Sequence, residues 1–241
     1  MDLNEKVALI TGGASGVGAA IARSYAAAGA RVVLVGRRAA ALIEMCAAIG
    51  ERAAYHAADV ADRAAIDAAI AATLDSHGQI DILVNAAGVN IAARQMHQLA
   101  PEDWDALLAI NVTGTYNACR AALPQMRARG DGLIIAISSI AAIRPTHLAG
   151  PAYSASKSAV TAFARALGLE EARHGIRVTT ISPGEVDTPL LEKRPSPVTD
   201  AHRAKILQPE DVAAAALFVA RLPPRACVTE LVINPTSIPF S

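Results

Sequence analysis

Short apolar runs rich in β-branched residues recur along the chain, separated by longer alanine-rich stretches with one apolar face. The runs are KVALI (6–10), RVVLV (31–35), AAYHA (53–57), DILVN (81–85), GLIIAIS (132–138), IRVTTIS (176–182) and ELVIN (230–234). Most are continuously apolar over the length of a strand, the pattern of strands covered on both faces. Residues 16–28, 39–49, 62–76, 102–128, 152–173 and 209–221 carry helical periodicity between them. Strands alternating with helices predict a parallel sheet with helices on both faces, and right-handed crossovers make it doubly wound. No linker or repeat divides the chain, so residues 1–241 are expected to form one α/β domain. The stretch 186–208, with Pro189, Pro195 and Pro197, follows neither period. An irregular segment of that length in a compact domain is commonly functional, and a substrate lid is expected here.

Composition narrows the function. Hydrophobic residues make up 53% of the chain, enough for a large core, and the formal net charge is zero. A nucleic-acid binder would show a basic stripe, and none is visible; aromatics at 3% leave little to stack on bases. Cys46, Cys119 and Cys227 are widely spaced with no CxxC pattern, which argues against disulfides and a zinc site. The histidines form no metal-ligating cluster, so no metal is expected. His147, in a loop near the expected pocket, reads more readily as a solvent-exposed residue than as a substrate contact. The N-terminus has no signal-peptide pattern and no apolar run reaches the ~18 residues of a membrane span. A cytoplasmic protein without membrane partners is the expectation.

Three stretches carry candidate chemistry. The first strand runs into TGGASGVG (11–18) and then into a helix. Glycines in such a turn let the backbone approach a pyrophosphate, and the helix N-terminus holds the anion. Where a strand-two carboxylate would bind a ribose 2′-hydroxyl, the chain has Gly36 followed by Arg37 and Arg38. Guanidinium groups there favour a 2′-phosphate, hence NADP(H) over NAD(H). In AYSASK (152–157), Tyr153 and Lys157 stand one helical turn apart and share a face. A phenol titrates near ~10, and a neighbouring ammonium favours the phenolate. Lys157 is therefore expected to tune Tyr153 as a general acid or base. The small neighbours Ala152, Ser154, Ala155 and Ser156 are expected to leave room for coenzyme and substrate.

Read together, TGGASGVG, NAAG (85–88), Asn111 in INVTG, ISS (137–139) followed by YSASK, and SPGEVDTP (182–189) resemble the short-chain dehydrogenase/reductase family, its short single-domain branch, over nearly the whole chain. The resemblance implies a Rossmann-like seven-stranded parallel sheet and reversible reduction of a small carbonyl compound to an alcohol by hydride transfer. It assigns catalysis to Asn111, Ser139, Tyr153 and Lys157, with Ser138 a lesser candidate. Asn111 would kink its helix and hold a water linked to Lys157, and Lys157 would also hold the nicotinamide ribose. Coenzyme contacts would come from Gly12, Ser15, Gly16, Val17 and Gly18, from Arg37 and Arg38, and from Asp59 and Val60. Asn85, Ala86 and Gly88, then Tyr153 and Lys157, then Pro183, Gly184, Val186 and Thr188 complete the set, with Asn85 also steadying the central sheet. The alternatives are an NAD-preferring alcohol dehydrogenase, a non-catalytic NADP-binding regulator, and, more weakly, an epimerase or dehydratase of the larger related branch. The intact tetrad favours an enzyme. A homotetramer or homodimer is implied, with helices 102–128 and 152–173 at an interface.

The chain departs from the family pattern in three places. Ala86 stands where a second asparagine is usual. Ser139 and Tyr153 are fourteen positions apart, one more than usual, so the loop between them carries an extra residue. The ending LVINPTSIPF lacks the frequent glycine-rich sequence. These departures bear on substrate and assembly, and the substrate itself is not legible from the motifs.

Overall fold

The computed structural model describes residues 2–237. Seven strands form one parallel sheet: β1 (Val7–Thr11), β2 (Arg31–Gly36), β3 (Ala53–Ala57), β4 (Ile82–Asn85), β5 (Gly132–Ile137), β6 (Ile176–Pro183) and β7 (Glu230–Ile233). Their order is β3-β2-β1-β4-β5-β6-β7. The chain winds outward from β1 to β3, returns to the centre at β4 and winds the other way. That reversal opens a crevice at the carboxyl ends of β1 and β4, where sheets of this kind bind ligands.

Alternate strand residues face opposite layers. Ile10, Leu34, Val84 and Ile135 pack with Ile21 and Tyr25 of α1 (Gly16–Ala27), Leu42 of α2 (Ala39–Ile49) and Val212 and Ala216 of α8 (Pro209–Arg221). Tyr25 is fully buried and donates its hydroxyl to Ala216 O at 3.0 Å, tying α1 to α8. On the other face Leu9, Val35, Leu83 and Ile134 meet α3 (Arg63–His77), α5 (Gly114–Arg129) and α6 (Pro151–Glu171). Each fully buried aliphatic side chain contributes about 1.5–3 kcal/mol, and these two layers hold the strand ends that carry the site.

Two expectations need correction. The helix expected over 102–128 is three pieces: α4 (Pro101–Leu108), a π-helical turn (Ala109–Thr113) and α5. Such single wide turns often mark functional sites, and Asn111 lies inside this one. The stretch 186–208 is not wholly irregular. Pro189 starts a 3-10 turn (Pro189–Lys193), and Thr199 caps the short α7 (Asp200–Arg203), its hydroxyl accepting from His202 N at 3.2 Å. The segment is fastened at its base by a bridge between Val186 and Leu207. Glu185 pairs with Arg194 at 2.7 Å and with His202 at 2.6 Å, and Asp187 pairs with Arg203. Of the ending LVINPTSIPF, residues 238–240 lie outside the described residues. No described helix is long and apolar enough to cross a membrane.

Candidate active site

The glycine turn leaves β1 folded tightly against the end of β4. Gly12 has φ +70°, and a methyl on it would lie 2.8 Å from the Ala87 backbone. A methyl on Gly18 would lie 2.4 Å from Gly12 O. The N-terminus of α1 is thereby exposed at the crevice, and Ser15, its N-cap, makes no side-chain cap bond. Unsatisfied N–H groups at such a terminus suit an anion. The Ser15 hydroxyl instead accepts from Arg38 Nη2 at 3.2 Å. Arg37 Nη1 stands 3.9 Å from the Asp59 carboxylate. A cavity of about 130 Å³ opens here, lined among others by Gly12, Gly36, Arg37, Asp59, Val60 and Gly88. Residues far apart in the chain thus gather around one cavity of the crevice. Gly12→Ala, forced into a left-handed conformation against backbone, is expected to lose about 2–4 kcal/mol of stability, read as a lower denaturant midpoint with an unchanged m-value.

At the end of β5, successive serines face opposite ways. Ser138 donates to Lys157 O at 3.1 Å and bonds Thr161 Oγ1 at 2.7 Å, inside the packing between β5 and α6. Ser139 caps the following 3-10 turn, accepting from Ala141 N at 3.1 Å, and its hydroxyl lies near enough to the Tyr153 phenol to favour the phenolate. The structure therefore brings Ser139, not Ser138, to the tyrosine.

Burial raises the Tyr153 pKa above its ordinary value, while the Ser139 hydrogen bond and the charge of Arg94 pull it down. Lys157 Nζ sits 5.8 Å from the Tyr153 ring centroid and donates to Ile137 O at 2.9 Å. Burial lowers its own pKa to about 8. The Lys157 amine is thus held by a backbone carbonyl beside the phenol, and the charge of Arg94 also favours the phenolate.

Asn111 Oδ1 accepts from Val89 N at 2.8 Å, and its Nδ2 donates to Val89 O at 3.1 Å and to Ser156 Oγ at 3.0 Å. The amide thus clamps the chain after β4 onto α6. A side chain on Gly88 would begin 3.2 Å from Lys157 Nζ and 3.5 Å from Asn111 Oδ1, so these groups converge at one point of the crevice. The small residues beside Tyr153 also serve packing. Ala152, Ser154 and Ser156 are buried, and Ser156 donates to Tyr153 O at 2.8 Å; Ala155 is exposed.

Asn85 lies within the sheet, fully buried, with Nδ2 on Cys119 Sγ at 3.4 Å, and Ala86 packs against the core. These two steady the strand end, whereas Gly88 is at the cavity. Across the crevice Pro183 ends β6, Gly184 N donates to Ile233 O at 2.8 Å, and Thr188 lies over Gly16, 3.3 Å from where a side chain there would begin. The bridge to Leu207 uses Glu185 O and Asp187 N, which turns the N–H and C=O of Val186 the other way. His147 is exposed. Among the described residues no three His, Cys, Asp or Glu side chains gather to hold a metal ion. Sequence reading missed Arg94, Ser156 and the Glu185–Arg194–His202 group. Arg94 lies in an aperiodic loop, where a single arginine carries no signature.

Fold and site together define an oxidoreductase: the chain belongs to the short-chain dehydrogenase family, whose profile matches residues 6–198. A D-threitol dehydrogenase from Mycolicibacterium smegmatis is 42% identical over 90% of this chain and 86% of its own. A 3-ketoacyl-(acyl-carrier-protein) reductase from Brucella melitensis, solved with NADH, superposes with TM-score 0.89 at 34% identity, covering 97% of this chain and 98% of its own. The closed form of a serine dehydrogenase with NADP+ gives TM-score 0.90 at 32% identity, covering 98% and 97%.

Proposed function

We propose that the chain interconverts a ketone or aldehyde and the corresponding alcohol, with NADP(H) preferred over NAD(H) and Tyr153 as the general acid or base. The observation that carries this reading is the convergence of Tyr153, Lys157 and Asn111 beside Gly88, with Ser139 next to the phenol and the glycine turn in the same crevice. When bound, the nicotinamide supplies a hydride donor or acceptor at its C4. Tyr153 gives its proton to the carbonyl oxygen in reduction and takes it back in oxidation. Ser139 donates a hydrogen bond to that oxygen and stabilises its developing charge. Asn111 holds the chain after Gly88 through Val89, and Lys157, beside Gly88, is suited to bond the nicotinamide ribose. Val186 offers free backbone groups to the carboxamide, beside Thr188. The residues 186–208 act as the lid. The enzyme is a cytoplasmic homotetramer or homodimer built through α5 and α6, where Tyr116 and Leu169 are exposed apolar side chains; a monomer by light scattering would reject that assembly.

Arg37 and Arg38 support the coenzyme preference. Replacing both with alanine is expected to weaken NADPH binding about 10- to 100-fold, the range of one or two charge-assisted hydrogen bonds, with NADH affinity nearly unchanged. Equal losses for both coenzymes, read by fluorescence titration, would reject the preference. The pH dependence follows from Tyr153. Its pKa is raised by burial, so the protonated form persists through neutral pH. Reduction, which needs the phenol, should hold level there and fall at alkaline pH. Oxidation, which needs the phenolate, should climb over the same alkaline range. Oxidation that declines as pH rises through that range would contradict the assignment.

A further inference from the structure

Arg94 is 5% exposed, on the loop between β4 and α4. Nε donates to Ile91 O at 2.8 Å, Nη1 to Leu148 O at 2.8 Å and Nη2 to Lys193 O at 2.5 Å. It therefore joins three segments: its own loop, the loop between Ser139 and Tyr153, and the 186–208 segment. Its stem packs on Gly150, since a side chain there would begin 2.9 Å from Arg94 Cβ. Gly150 is the N-cap of α6, just before Tyr153.

All three acceptors are neutral. No carboxylate among the described residues lies within ion-pair reach of Arg94, although Arg194 and Arg203 of the 186–208 segment each have one. Arg194 takes Glu185 at 2.7 Å, and Arg203 takes Asp187. Burial disfavours charge on Arg94, and the nearby charge of Arg194 adds to the effect. A buried cation without a counterion is costly and is commonly retained for function. The guanidinium has five N–H groups; three are used, leaving one on each terminal nitrogen. Its charge reaches the Tyr153 phenol. A planar carboxylate matches two such donors better than any neutral group does.

We infer that Arg94 binds a carboxylate of the substrate, so that the pair interconverted is a short oxo acid and its hydroxy acid. The inference rests on the oxidoreductase reading of the same site. In reduction the carbonyl carbon gains a hydride from the reduced coenzyme, the C=O π bond breaks, and its oxygen gains the Tyr153 proton. The oxo acid is reduced, the coenzyme is oxidised, and Tyr153 regains its proton from solvent.

The test compares short hydroxy acids with their methyl esters on the NADP+-loaded enzyme, by calorimetry and by kcat/KM. The wild-type chain is expected to favour an acid over its ester by about 10- to 100-fold. Arg94→Gln should remove that preference while keeping NADP+ affinity and ester binding, and Arg94→Lys should restore part of it. Acids bound no better than esters by the wild type would overturn the inference, and this arm does not depend on any variant folding. An acid preference that survives in Arg94→Gln would also overturn it, leaving Arg94 as a brace between loops. Acids bound through Arg94 but never oxidised would uphold the carboxylate site and reject the proposed reaction. Neutral alcohols oxidised with no preference for acids would do the reverse.

Discussion

Tyr153→Phe is expected to lower kcat for carbonyl reduction by about 10²–10⁴-fold, the usual worth of a positioned proton donor. The change removes one oxygen and leaves the ring in place. NADPH affinity should stay within a factor of about two, because no argument for coenzyme binding uses the hydroxyl alone. The loss should fall on kcat and kcat/KM together, the pattern of an interaction made in the transition state. Ser139 keeps its bond from Ala141 N, so the 3-10 turn it caps should persist. A variant that binds NADPH and turns over at the wild-type rate would remove Tyr153 from the chemistry.

Lys157→Met should abolish most activity and yet stabilise the coenzyme-free chain. Lys157 is 6% exposed, and burial lowers its pKa from 10.5 to about 8. Because the folded value lies below the unfolded one, charge on Lys157 opposes folding in full below pH 8. The penalty is relieved as pH rises from about 8 to 10.5, where the folded chain has released a proton that the unfolded chain still holds. At neutral pH the shift corresponds to about 3 kcal/mol. Methionine removes that penalty but leaves Ile137 O without its donor, which costs about 1–2 kcal/mol. A net gain of about 1–2 kcal/mol, or a Tm rise of about 2–8 °C, is the expected outcome. In the wild type alone, stability should rise between pH 8 and 10.5 through this group. A large drop in Tm for Lys157→Met would mean that the ammonium is well compensated in the folded chain.

The strands were legible because both faces of the sheet are covered, which makes continuous apolar runs such as RVVLV. Their ends move by a residue or so: Thr11 and Pro183 join strands through backbone pairing that side-chain pattern does not reveal. Tyr153 and Lys157 were readable from helical spacing, and Gly12 and Gly18 from the tightness such a turn requires. The family resemblance implied a kink at Asn111, but the clamp of its amide to Val89 and Ser156, both distant in sequence, was not legible. The pairing of Glu185 and Asp187 was not legible in SPGEVDTP because their partners, Arg194, His202 and Arg203, lie in a stretch with no period. Arg94 was hidden for the same reason. Three carbonyls from three loops define its position, and none of them is encoded by a neighbouring residue type. Small residues around Tyr153 invited a ligand-space reading; Ala152, Ser154 and Ser156 are also buried, and Ser156 accepts from Asn111, a packing role that spacing alone does not reveal.

The most direct test of the account is a single-turnover reaction with NADPH deuterated at the transferring C4 position, run against a panel of ketones and oxo acids. The account predicts deuterium on the carbinol carbon of the product for the wild type, and a rate lower by about 10²–10⁴-fold for Tyr153→Phe at equal coenzyme occupancy. Label that never reaches the product, or equal rates for the two proteins, would contradict it.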